Sequence, residues 1–367
     1  AAAGPNPRLL DSGNRPICPA RPRSTKASPM PRTTVAIVTW NGRAHLEPLF
    51  AGLLSQGAPG GFDVVVVDNA SRDGTPEAVE AVATADSRVR VVRSGRNAGF
   101  AVGNNLALDH TRADYLVALN SDTVPEPGWL DALVEAADAN PRVGSVASQM
   151  TFLHDPQVVQ SAGIRIDRAG IAWDAGSGDR RRPPGTPTPT FGASAGAALY
   201  RTAMLRQLGG FDERFFMYLE DVDLAWRARL AGWEAVVAPS AVVRHAHSGS
   251  AGEGSPFKNW HLGRNKVWTI AKCYPAAGLR AHLPAILGYD LMAIPYTVAT
   301  RRDLSGVRGR LAALRSLGPI LADRRRLHET YPDGWARTRD WMEPVASPAD
   351  TFARYARLRK VLAGRPR

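Results

Sequence analysis

The chain has 367 residues and a formal net charge of +12, which is enough length for one large domain or two smaller ones. The positive charge is concentrated near the C-terminal end: residues 258–367 carry 21 basic and 8 acidic side chains, whereas residues 31–257 carry 20 and 25. Because the middle of the chain is mildly acidic and offers neither a recognition helix nor an aromatic platform, we exclude nucleic acid as a partner. The two cysteines are too few for a disulfide framework or a thiolate metal site, and they suit a reducing compartment.

The two ends of the chain differ in composition from the middle. Residues 1–31 are rich in Pro, Arg and Ser and contain no apolar signal core, so we predict a disordered segment there. The apolar segment 283–300 is interrupted by Pro284, Asp290 and Pro295, and it falls short of the about 18 uninterrupted apolar residues that a transmembrane helix requires. We therefore expect a cytoplasmic protein.

From Thr34 onward, short β-branched runs alternate with helical patterns. The predicted strands are residues 34–39, 63–68, 89–92, 115–120 and 143–148, and the predicted helices are residues 44–54, 75–85, 99–110 and 129–139. This alternation is typical of an α/β protein whose mostly parallel, Rossmann-like sheet is covered by helices on both faces. Later in the chain, the predicted elements are an irregular loop at 178–190, a helix at 201–208, a strand at 234–239 and further helices from residue 259.

Three of the predicted strands end in polar residues: Thr39 and Asn41, then Asp68, then Asn120 with Asp122. Ligands of parallel sheets bind beyond the carboxyl ends of the strands, so we expect these side chains to converge on one crevice. Asp68 could accept hydrogen bonds from a ribose hydroxyl or a base N–H, or it could cap a turn. Asp122 could bind a divalent cation that bridges phosphate oxygens, with Asn120 adding an oxygen or holding the turn. The alternative for Asp122 is an N-cap of the following helix.

Two further segments contain candidate ligand-binding residues. The sequence "RNAGFAVGNN" places Asn97 and Gly99 where a loop opens a helix. Gly99 would permit close approach of the backbone, and a helix N-terminus favours phosphate. His245 and His247 follow a predicted strand, and each could be a ligand or an ordinary packed or exposed residue.

The segment "YLEDVDLAWRARLAGW" places three acids at the start of a predicted helix. Glu220 and Asp221 could interact with the helix dipole, which would explain their sign but not their crowding. Neighbouring carboxylates raise one another's proton affinity, as a general base that works near neutral pH requires. We therefore predict that Asp221 is a base. Asp223 and Arg227 have the spacing of an i,i+4 ion pair.

These motifs, taken in order, resemble the glycosyltransferase family 2 pattern, and most closely its bacterial rhamnosyltransferase-like branch. They are "TWNG", "VVDNASRDGT", "RNAGFAVGNN", "LNSDTVP", "GGFDERFFMYLEDVDLAWRARLAGW" and "VVRHAHSGS", and they cover residues 33–265. The resemblance implies an A-type glycosyltransferase fold and an inverting transfer of a sugar from a nucleoside diphosphate donor, with Mg²⁺ or Mn²⁺ as cofactor. It also implies a catalytic domain at 32–257, with a nucleotide-binding half at 32–150 and an acceptor half at 151–257, and a helical, basic extension at 258–367.

The family pattern assigns binding roles to several residues of this chain. The residues that would line the nucleoside pocket are Thr39, Asn41, Asp68 and Asn97. The acidic metal motif falls on residues 120–122, and it begins with Asn120 where the family usually has Asp. One fewer negative charge should weaken cation binding, so Asp122 would carry most of it.

The resemblance also assigns the reacting groups. The base falls on Asp221, beside Glu220. A histidine that helps to hold the metal or the diphosphate falls on His245. The spacing to Ser248 selects this histidine over His247.

Three other features concern the donor sugar and the acceptor. Arg264 matches a family position near the diphosphate or the acceptor. The small residues of "GASAGA" (192–197) would let the backbone approach the donor sugar or the acceptor, or they simply pack tightly. From Leu283 to about Leu327 the chain combines apolar runs with several arginines. We expect this region to make peripheral contact with the inner membrane surface, where lipid-linked acceptors reside.

The expected donor is a sugar linked to deoxythymidine diphosphate (dTDP) or UDP, with rhamnose as the sugar of the most similar branch. The acceptor would be a glycan, a lipid-linked molecule or a small molecule. Two other classes of function remain open. A nucleotidyltransferase would need a basic, glycine-rich loop after the first strand, which "TWNGRAH" lacks. A non-catalytic sugar- or nucleotide-binding module would have no need of Glu220 and Asp221 beside a metal site.

Overall fold

The structure of the protein is a computed structural model that describes residues 30–246, 254–347 and a few positions between 350 and 361. Residues 1–29, most of the segment predicted to be disordered, lie outside the described residues, as do His247 and Ser248. The chain from Pro31 onward forms one compact unit.

The described residues form twelve β-strands. They are β1 (Thr33–Thr39), β2 (Phe62–Asp68), β3 (Val89–Arg93), β4 (Tyr115–Asn120), β5 (Thr123–Pro125), β6 (Val143–Phe152), β7 (Val159–Ser161), β8 (Ile164–Ile166), β9 (Ala172–Asp174), β10 (Thr188–Pro189), β11 (Ala197–Arg201) and β12 (Glu234–His245). All five strands predicted before residue 150 are present, and β12 extends the predicted strand at 234–239 to His245.

The same residues form eleven α-helices. They are α1 (Leu46–Leu54), α2 (Thr75–Ala85), α3 (Gly99–Asp109), α4 (Trp129–Asp138), α5 (Thr202–Leu208), α6 (Glu220–Leu230), α7 (Pro256–Cys273), α8 (Ala276–Arg301), α9 (Ser305–Arg315), α10 (Leu317–Thr330) and α11 (Gly334–Thr338). Short 3-10 helices lie at Arg43–His45, Glu213–Phe215 and Arg339–Trp341. The predicted helices are therefore confirmed, with ends that differ by at most three residues.

Ten of the strands form one sheet, in the order β10-β12-β6-β11-β4-β1-β2-β3, with β5 paired to β12 and β7 paired to β6. The pairs β1–β2, β1–β4, β2–β3 and β6–β12 are parallel, whereas β11 is antiparallel to both of its neighbours. The sheet is therefore mixed, with the predicted parallel, Rossmann-like arrangement in strands β1 to β4. Strands β8 and β9 form a separate two-stranded sheet.

Alternate residues of the central strands pack into two hydrophobic cores on opposite faces of the sheet. Val35 and Ile37 lie in one core with α1 and α4, which contributes Trp129. Ala36 lies in the other core with α3 and with α6, which contributes Leu224. Helices thus cover both faces, as predicted, and this packing holds the carboxyl ends of β1, β2 and β4 in place.

The C-terminal region is helical, as predicted, and α7 and α9 pack closely against each other. Gly263 of α7 and Gly309 of α9 leave no room for a Cβ against the facing backbone, because each lies against a carbonyl of the other helix. None of the described helices combines the length and the hydropathy that a membrane crossing requires.

Candidate active site

The polar ends of β1, β2 and β4 lie side by side at one edge of the sheet. Thr39 pairs with Asp68 across β1 and β2, and Val38 pairs with Asn120 across β1 and β4. Neighbouring strands are about 4.8 Å apart, so Asp68, Thr39 and Asn120 form a short row. The Oγ1 atom of Thr39 is buried and has no hydrogen-bond partner within the described part of the chain. The structure thus brings the three strand ends together, as the sequence predicts.

The loops after β1 and β2 are tied to each other. The Asn41 N–H donates to Ser71 Oγ at 2.8 Å, and the Arg72 N–H donates to Asn41 Oδ1 at 2.8 Å. Asp68 is buried, and its Oδ1 accepts from the Ser71 N–H at 3.2 Å, so it does cap the turn. Asn41 and Ala70 have positive φ angles of 51° and 60°. Such conformations are strained for residues other than glycine and cluster at functional sites.

Asp122 and His245 form a pair beyond the end of β4. His245 Nε2 lies 2.9 Å from Asp122 Oδ1, and His245 Nδ1 donates to Gln160 Oε1 at 2.9 Å. Asn120 Nδ2 lies 3.4 Å from the same Nε2. An amide oxygen can only accept, so Nδ1 carries a proton and Nε2 is the ring nitrogen that faces Asp122. Strand β5 fixes this arrangement because Thr123 pairs with His245 across β5 and β12.

The chemistry of this pair fits a divalent cation. Two donor atoms 2.9 Å apart can take neighbouring positions around an ion whose ligands lie about 2.0–2.2 Å away. Among the described residues, no group of three or more His, Cys, Asp or Glu side chains could hold a metal ion. The oxygens of a bound diphosphate would therefore have to complete the coordination, as is common for Mg²⁺ in nucleotide enzymes.

The electrostatics at Asp122 suit a metal ligand. Burial raises the pKa of Asp122, but the attraction of His245 and its hydrogen bond outweigh burial, and the net pKa lies below its ordinary value. His45 lowers the pKa further. Asp122 is therefore an anion at neutral pH, which is the form that binds a cation.

Asp221, at the start of α6, is linked to the same strand end through the segment before β11. The Ala195 N–H donates to Asp221 Oδ2 at 3.2 Å, and the Asn120 N–H donates to the Gly196 carbonyl oxygen at 2.9 Å. A Cβ on Gly196 would lie 2.9 Å from Met150 Cε. Tight packing of the small residues therefore brings the proposed base next to the strand end that carries the metal motif.

The two carboxyl groups at the start of α6 are in different states. Burial, opposed by the Ala195 N–H and assisted by the nearby Asp174, raises the pKa of Asp221 to about 6. Burial raises the pKa of Glu220 well above its ordinary range, and Asp221 adds to this shift. Glu220 Oε2 is buried and accepts no hydrogen bond from the described residues. Both pKa values are therefore raised, and that of Asp221 falls near neutral pH, as a general base requires.

The turn before α6 is strained and is held by α7. Phe216, Tyr218 and Leu219 have φ angles of 66°, 69° and 64°. Asn265 Nδ2 donates to three carbonyl oxygens of this turn at distances of 2.7 to 3.1 Å. Arg264 Nη2 donates to one of these, the Phe215 carbonyl oxygen, at 2.8 Å and to the Arg214 carbonyl oxygen at 3.0 Å. Arg264 and Asn265 thus hold the turn, and the contact of Arg264 with diphosphate or acceptor that the resemblance implies stays a prediction.

The start of α3 contacts the same turn. Gly99 has a φ of 88°, and a Cβ there would lie 2.5 Å from Phe216 Cδ2. The Phe216 carbonyl oxygen accepts from the N–H groups of Phe100 and Ala101 at 2.7 and 3.2 Å, and Asn97 Oδ1 accepts from the Gly99 N–H at 3.1 Å. The expectation of phosphate at this helix N-terminus is therefore wrong for these amides, because protein atoms already accept their hydrogen bonds.

The predicted ion pair within α6 is present and belongs to the core. Arg227 Nε lies 2.7 Å from Asp223 Oδ2, and Lys272 Nζ lies 2.6 Å from Asp223 Oδ1. All three side chains are buried. The third acid of the motif thus has a structural role and is distinct from the proposed base.

Two residues of the site were not predicted. Gln160, which holds His245, lies 85 positions before it in the chain and belongs to no motif, so no sequence signal marks it. Asn69 donates from Nδ2 to the Gly99 carbonyl oxygen at 3.1 Å and ties the loop after β2 to α3. Its place directly after Asp68 is a signal that could have identified it.

Comparison with known proteins identifies the family of this chain. The profile described as Glycosyl transferase family 2 matches residues 34–209. The N-acetylglucosaminyl-diphospho-decaprenol L-rhamnosyltransferase of Mycobacterium tuberculosis is 33% identical over 245 residues, which are 59% of this chain and 77% of that protein. The chain belongs to glycosyl transferase family 2. It is therefore a glycosyltransferase, which rules out the nucleotidyltransferase and the non-catalytic binding module.

Solved structures with low sequence identity share the fold. Staphylococcus aureus TarS 1-349 in complex with UDP-GlcNAc has a TM-score of 0.53 and 18% identity, and the match covers 85% of this glycosyltransferase and 92% of that chain. GalNAc-T7 with UDP, GalNAc and Mn²⁺ has a TM-score of 0.52 and 15% identity, covering 65% and 47%. The predicted A-type glycosyltransferase fold is confirmed.

Proposed function

We propose that this glycosyltransferase is a metal-dependent, inverting enzyme that transfers a sugar from a nucleoside diphosphate donor to an acceptor hydroxyl. The observation that carries the proposal is the position of Asp221 relative to the Asp122–His245 pair. Ala195 and Gly196 link Asp221 to Asn120, whose Nδ2 lies 3.4 Å from His245 Nε2. A cation site for the diphosphate and a base for the acceptor are the two groups that such a transfer requires.

Asp122 and His245 would hold the Mg²⁺ or Mn²⁺ ion together with the donor diphosphate. When bound, the cation neutralises the negative charge that develops on the departing nucleoside diphosphate. The fold neighbour GalNAc-T7, solved with Mn²⁺, supports this choice of ion. Asn120 contributes an amide in place of a carboxylate, so the charge that binds the cation comes mainly from Asp122.

Asp221 would remove the proton from the acceptor hydroxyl. Its Oδ1 accepts from the Val222 N–H at 2.8 Å and its Oδ2 from the Ala195 N–H at 3.2 Å, which fixes the direction of the carboxylate. The hydroxyl oxygen then attacks the anomeric carbon on the face opposite to the departing diphosphate, so the configuration inverts. Glu220, buried beside Asp221, would be the second member of this catalytic pair.

The nucleoside would lie over the row of strand ends. The buried carboxylate of Asp68 would accept hydrogen bonds from the ribose or the base, and the hydroxyl of Thr39 would complete its hydrogen bonding with the ligand. The side-chain oxygens of Asn41 and Asn97 accept hydrogen bonds from loop amides, so these two residues would shape the pocket.

Rhamnose carried by dTDP is the donor that we propose first, with a UDP-linked sugar as the second choice. The similarity to an L-rhamnosyltransferase supports the sugar, and the name of that relative, which contains diphospho-decaprenol, supports a lipid-linked acceptor over a free glycan or small molecule. In this proposal, residues 32–257 are the catalytic domain, with donor and acceptor halves that meet near residue 150. The reaction would take place in the cytoplasm, at the inner face of the membrane.

A thermal-shift screen of dTDP, UDP and GDP with and without Mn²⁺ tests the proposal. A ligand at about 100 times its Kd stabilises the folded state by about 2.7 kcal/mol, so we expect dTDP or UDP to raise Tm clearly when Mn²⁺ is present and much less without it. Asp122→Ala should lose the Mn²⁺-dependent part of the shift. If no nucleoside diphosphate changes Tm in either condition, the proposed donor class is wrong.

A further inference from the structure

The exposed face of α8 carries a stripe of long apolar side chains. Leu283, Leu287 and Leu291 follow one another at one-turn spacing, Met292 adjoins them, and the four side chains are between 44% and 75% exposed. Single exposed leucines are ordinary on protein surfaces. A stripe of this length on one helix marks an interaction surface instead.

Arginines flank this stripe, and the acidic residue of α8 pairs with basic residues of α7 and α9. Arg280 precedes the stripe and Arg302 follows the end of α8, and both are exposed. The single acid of α8 is Asp290, which lies 2.7 Å from Lys266 Nζ and 2.8 Å from Arg310 Nη2. No carboxylate in the described part of the chain pairs with Arg280 or Arg302. The outer surface of α8 is therefore apolar with positive ends.

Helix α9 has a similar outer face. Leu304, just before the helix, Arg308, Leu311 and Arg315 recur every three to four residues and are all exposed. The opposite side is buried, for example at Ala313. A basic, amphipathic helix of this kind is typical of proteins that bind to the surface of a bilayer.

The junction between α8 and α9 lies close to the turn that positions the proposed base. Asn259 Nδ2 donates to Asp303 Oδ2 at 2.7 Å, which ties the junction to the start of α7. Phe257, two residues earlier, has its ring centroid 6.2 Å from that of Phe216. Phe216 belongs to the strained turn before Asp221. The surface formed by α8 and α9 therefore adjoins the acceptor side of the proposed site.

We propose that the outer faces of α8 and α9 dock on an anionic phospholipid bilayer, with the leucines at the acyl boundary and the arginines among the headgroups. A bilayer fits these charges better than a second copy of the chain, because a two-fold interface would bring the same basic patch against itself. The inference deepens the proposed function, on which it rests for the lipid-linked acceptor. That acceptor would reach Asp221 while its lipid stays in the membrane.

Co-sedimentation of the full chain with vesicles tests the proposal. We expect sedimentation with vesicles of phosphatidylcholine and phosphatidylglycerol, little with phosphatidylcholine alone, and less at high salt. The double variant Leu287→Glu with Leu291→Glu should lower vesicle affinity by about tenfold or more. Val345→Glu is the matched control, because Val345 is 43% exposed and lies outside α8 and α9, and it should bind like the wild type. Arg280→Gln with Arg302→Gln should weaken binding mainly to the anionic vesicles.

Two results would overturn the proposal. One is a wild-type protein that stays in the supernatant with anionic vesicles at low salt. The other is a leucine double variant that binds as well as the wild type. A third combination of results would assign the face to a second copy of the chain, and the proposal would also fail. In that case the wild type does not bind vesicles and elutes as a dimer in size-exclusion chromatography, whereas the leucine double variant elutes as a monomer. Vesicle binding is measured without donor or acceptor, so its failure is separate from failure of the nucleotide and Mn²⁺ thermal shift.

Discussion

Asp122 and Asp221 lie at the two ends of the candidate site, and their surroundings move their pKa values in opposite directions. At Asp122, burial raises the pKa, but the attraction of His245 prevails and the pKa falls below its ordinary value. At Asp221, burial prevails over two backbone N–H donors and raises the pKa to about 6. One carboxylate is thus a permanent anion suited to a cation, and the other can exchange a proton near neutral pH.

The supports of the two carboxylates also differ. Asp122 lies at the end of a buried strand, beside a histidine that Gln160 holds. Asp221 follows a turn with positive φ angles that Arg264 and Asn265 hold from α7. Substitutions at the first end should therefore act on cation and donor binding, whereas substitutions at the second end should act on turnover.

The largest difference between the effect on turnover and the effect on donor binding is expected for Asp221→Asn. Loss of a general base lowers turnover by about 10²–10⁴-fold, whereas dTDP affinity in the presence of Mn²⁺ should stay close to that of the wild type because the Asp122–His245 pair is intact. Steady-state kinetics with a dTDP-sugar and calorimetric titration with dTDP measure the two quantities. Glu213→Gln, an exposed carboxylate before the same turn, is the control and should leave both unchanged. Full turnover by the asparagine variant would contradict the assignment of the base.

A smaller effect is expected for Gln160→Leu, which removes the acceptor of His245 Nδ1. Loss of such a partner typically lowers metal affinity about 10–100-fold, so the Mn²⁺ concentration needed for the dTDP thermal shift should rise by that factor. Gln160→Glu, which can still accept from Nδ1, should restore affinity. Gln149→Leu is a matched control, because Gln149 is a buried glutamine that donates to the Arg182 and Pro239 carbonyls. Equal Mn²⁺ requirements for Gln160→Leu and the control would show that Gln160 does not position the histidine.

The pH dependence of turnover should follow the ionisation of Asp221. Asp221 must be ionised to accept a proton, and its pKa is about 6. Turnover should therefore fall about tenfold for each pH unit below that value and level off above it. Asp122, with its lowered pKa, stays ionised over this range, so a change in its charge should not contribute to the fall. A profile of wild-type turnover that is flat between pH 5 and pH 8, roughly the range around neutrality, would contradict a base of this kind.

The smallest effect is expected for Asn120→Asp, which adds a carboxylate beside the Asp122–His245 pair. One additional charge about 4 Å from a divalent cation in a solvated site is worth about 2 kcal/mol without salt. Screening at physiological ionic strength lowers this to about 1 kcal/mol, or about fivefold in cation affinity. The Mn²⁺ requirement should fall by that factor while the pH profile of turnover keeps its midpoint. A Mn²⁺ requirement that stays the same or rises would show that Asn120 does not face the cation.

The sequence predicted the parts of this site that depend on local pattern. Asp68 ends one buried apolar strand and Asp122 follows another, and a parallel sheet brings such ends to one edge. The role of Gln160 depends on a contact across 85 positions that no local pattern encodes. Gly99 was expected to face phosphate and packs against Phe216 instead, because the turn that contacts it lies more than 100 residues later in the chain. The hydrogen bonds of Arg264 to carbonyl oxygens of that turn also depend on how α7 packs, which no local pattern encodes.

The most direct test of the separate roles of Asp122, as cation ligand, and Asp221, as base, is a crystal structure with Mn²⁺ and a non-hydrolysable dTDP-sugar. The account predicts Mn²⁺ between the diphosphate and the Asp122–His245 pair, at about 2.0–2.6 Å from both side chains. It also predicts that the Asp221 carboxylate faces the anomeric carbon from the side opposite the diphosphate, with room for a hydroxyl about 3–3.5 Å from that carbon. Mn²⁺ bound away from Asp122, or Asp221 on the diphosphate side of the sugar, would contradict it.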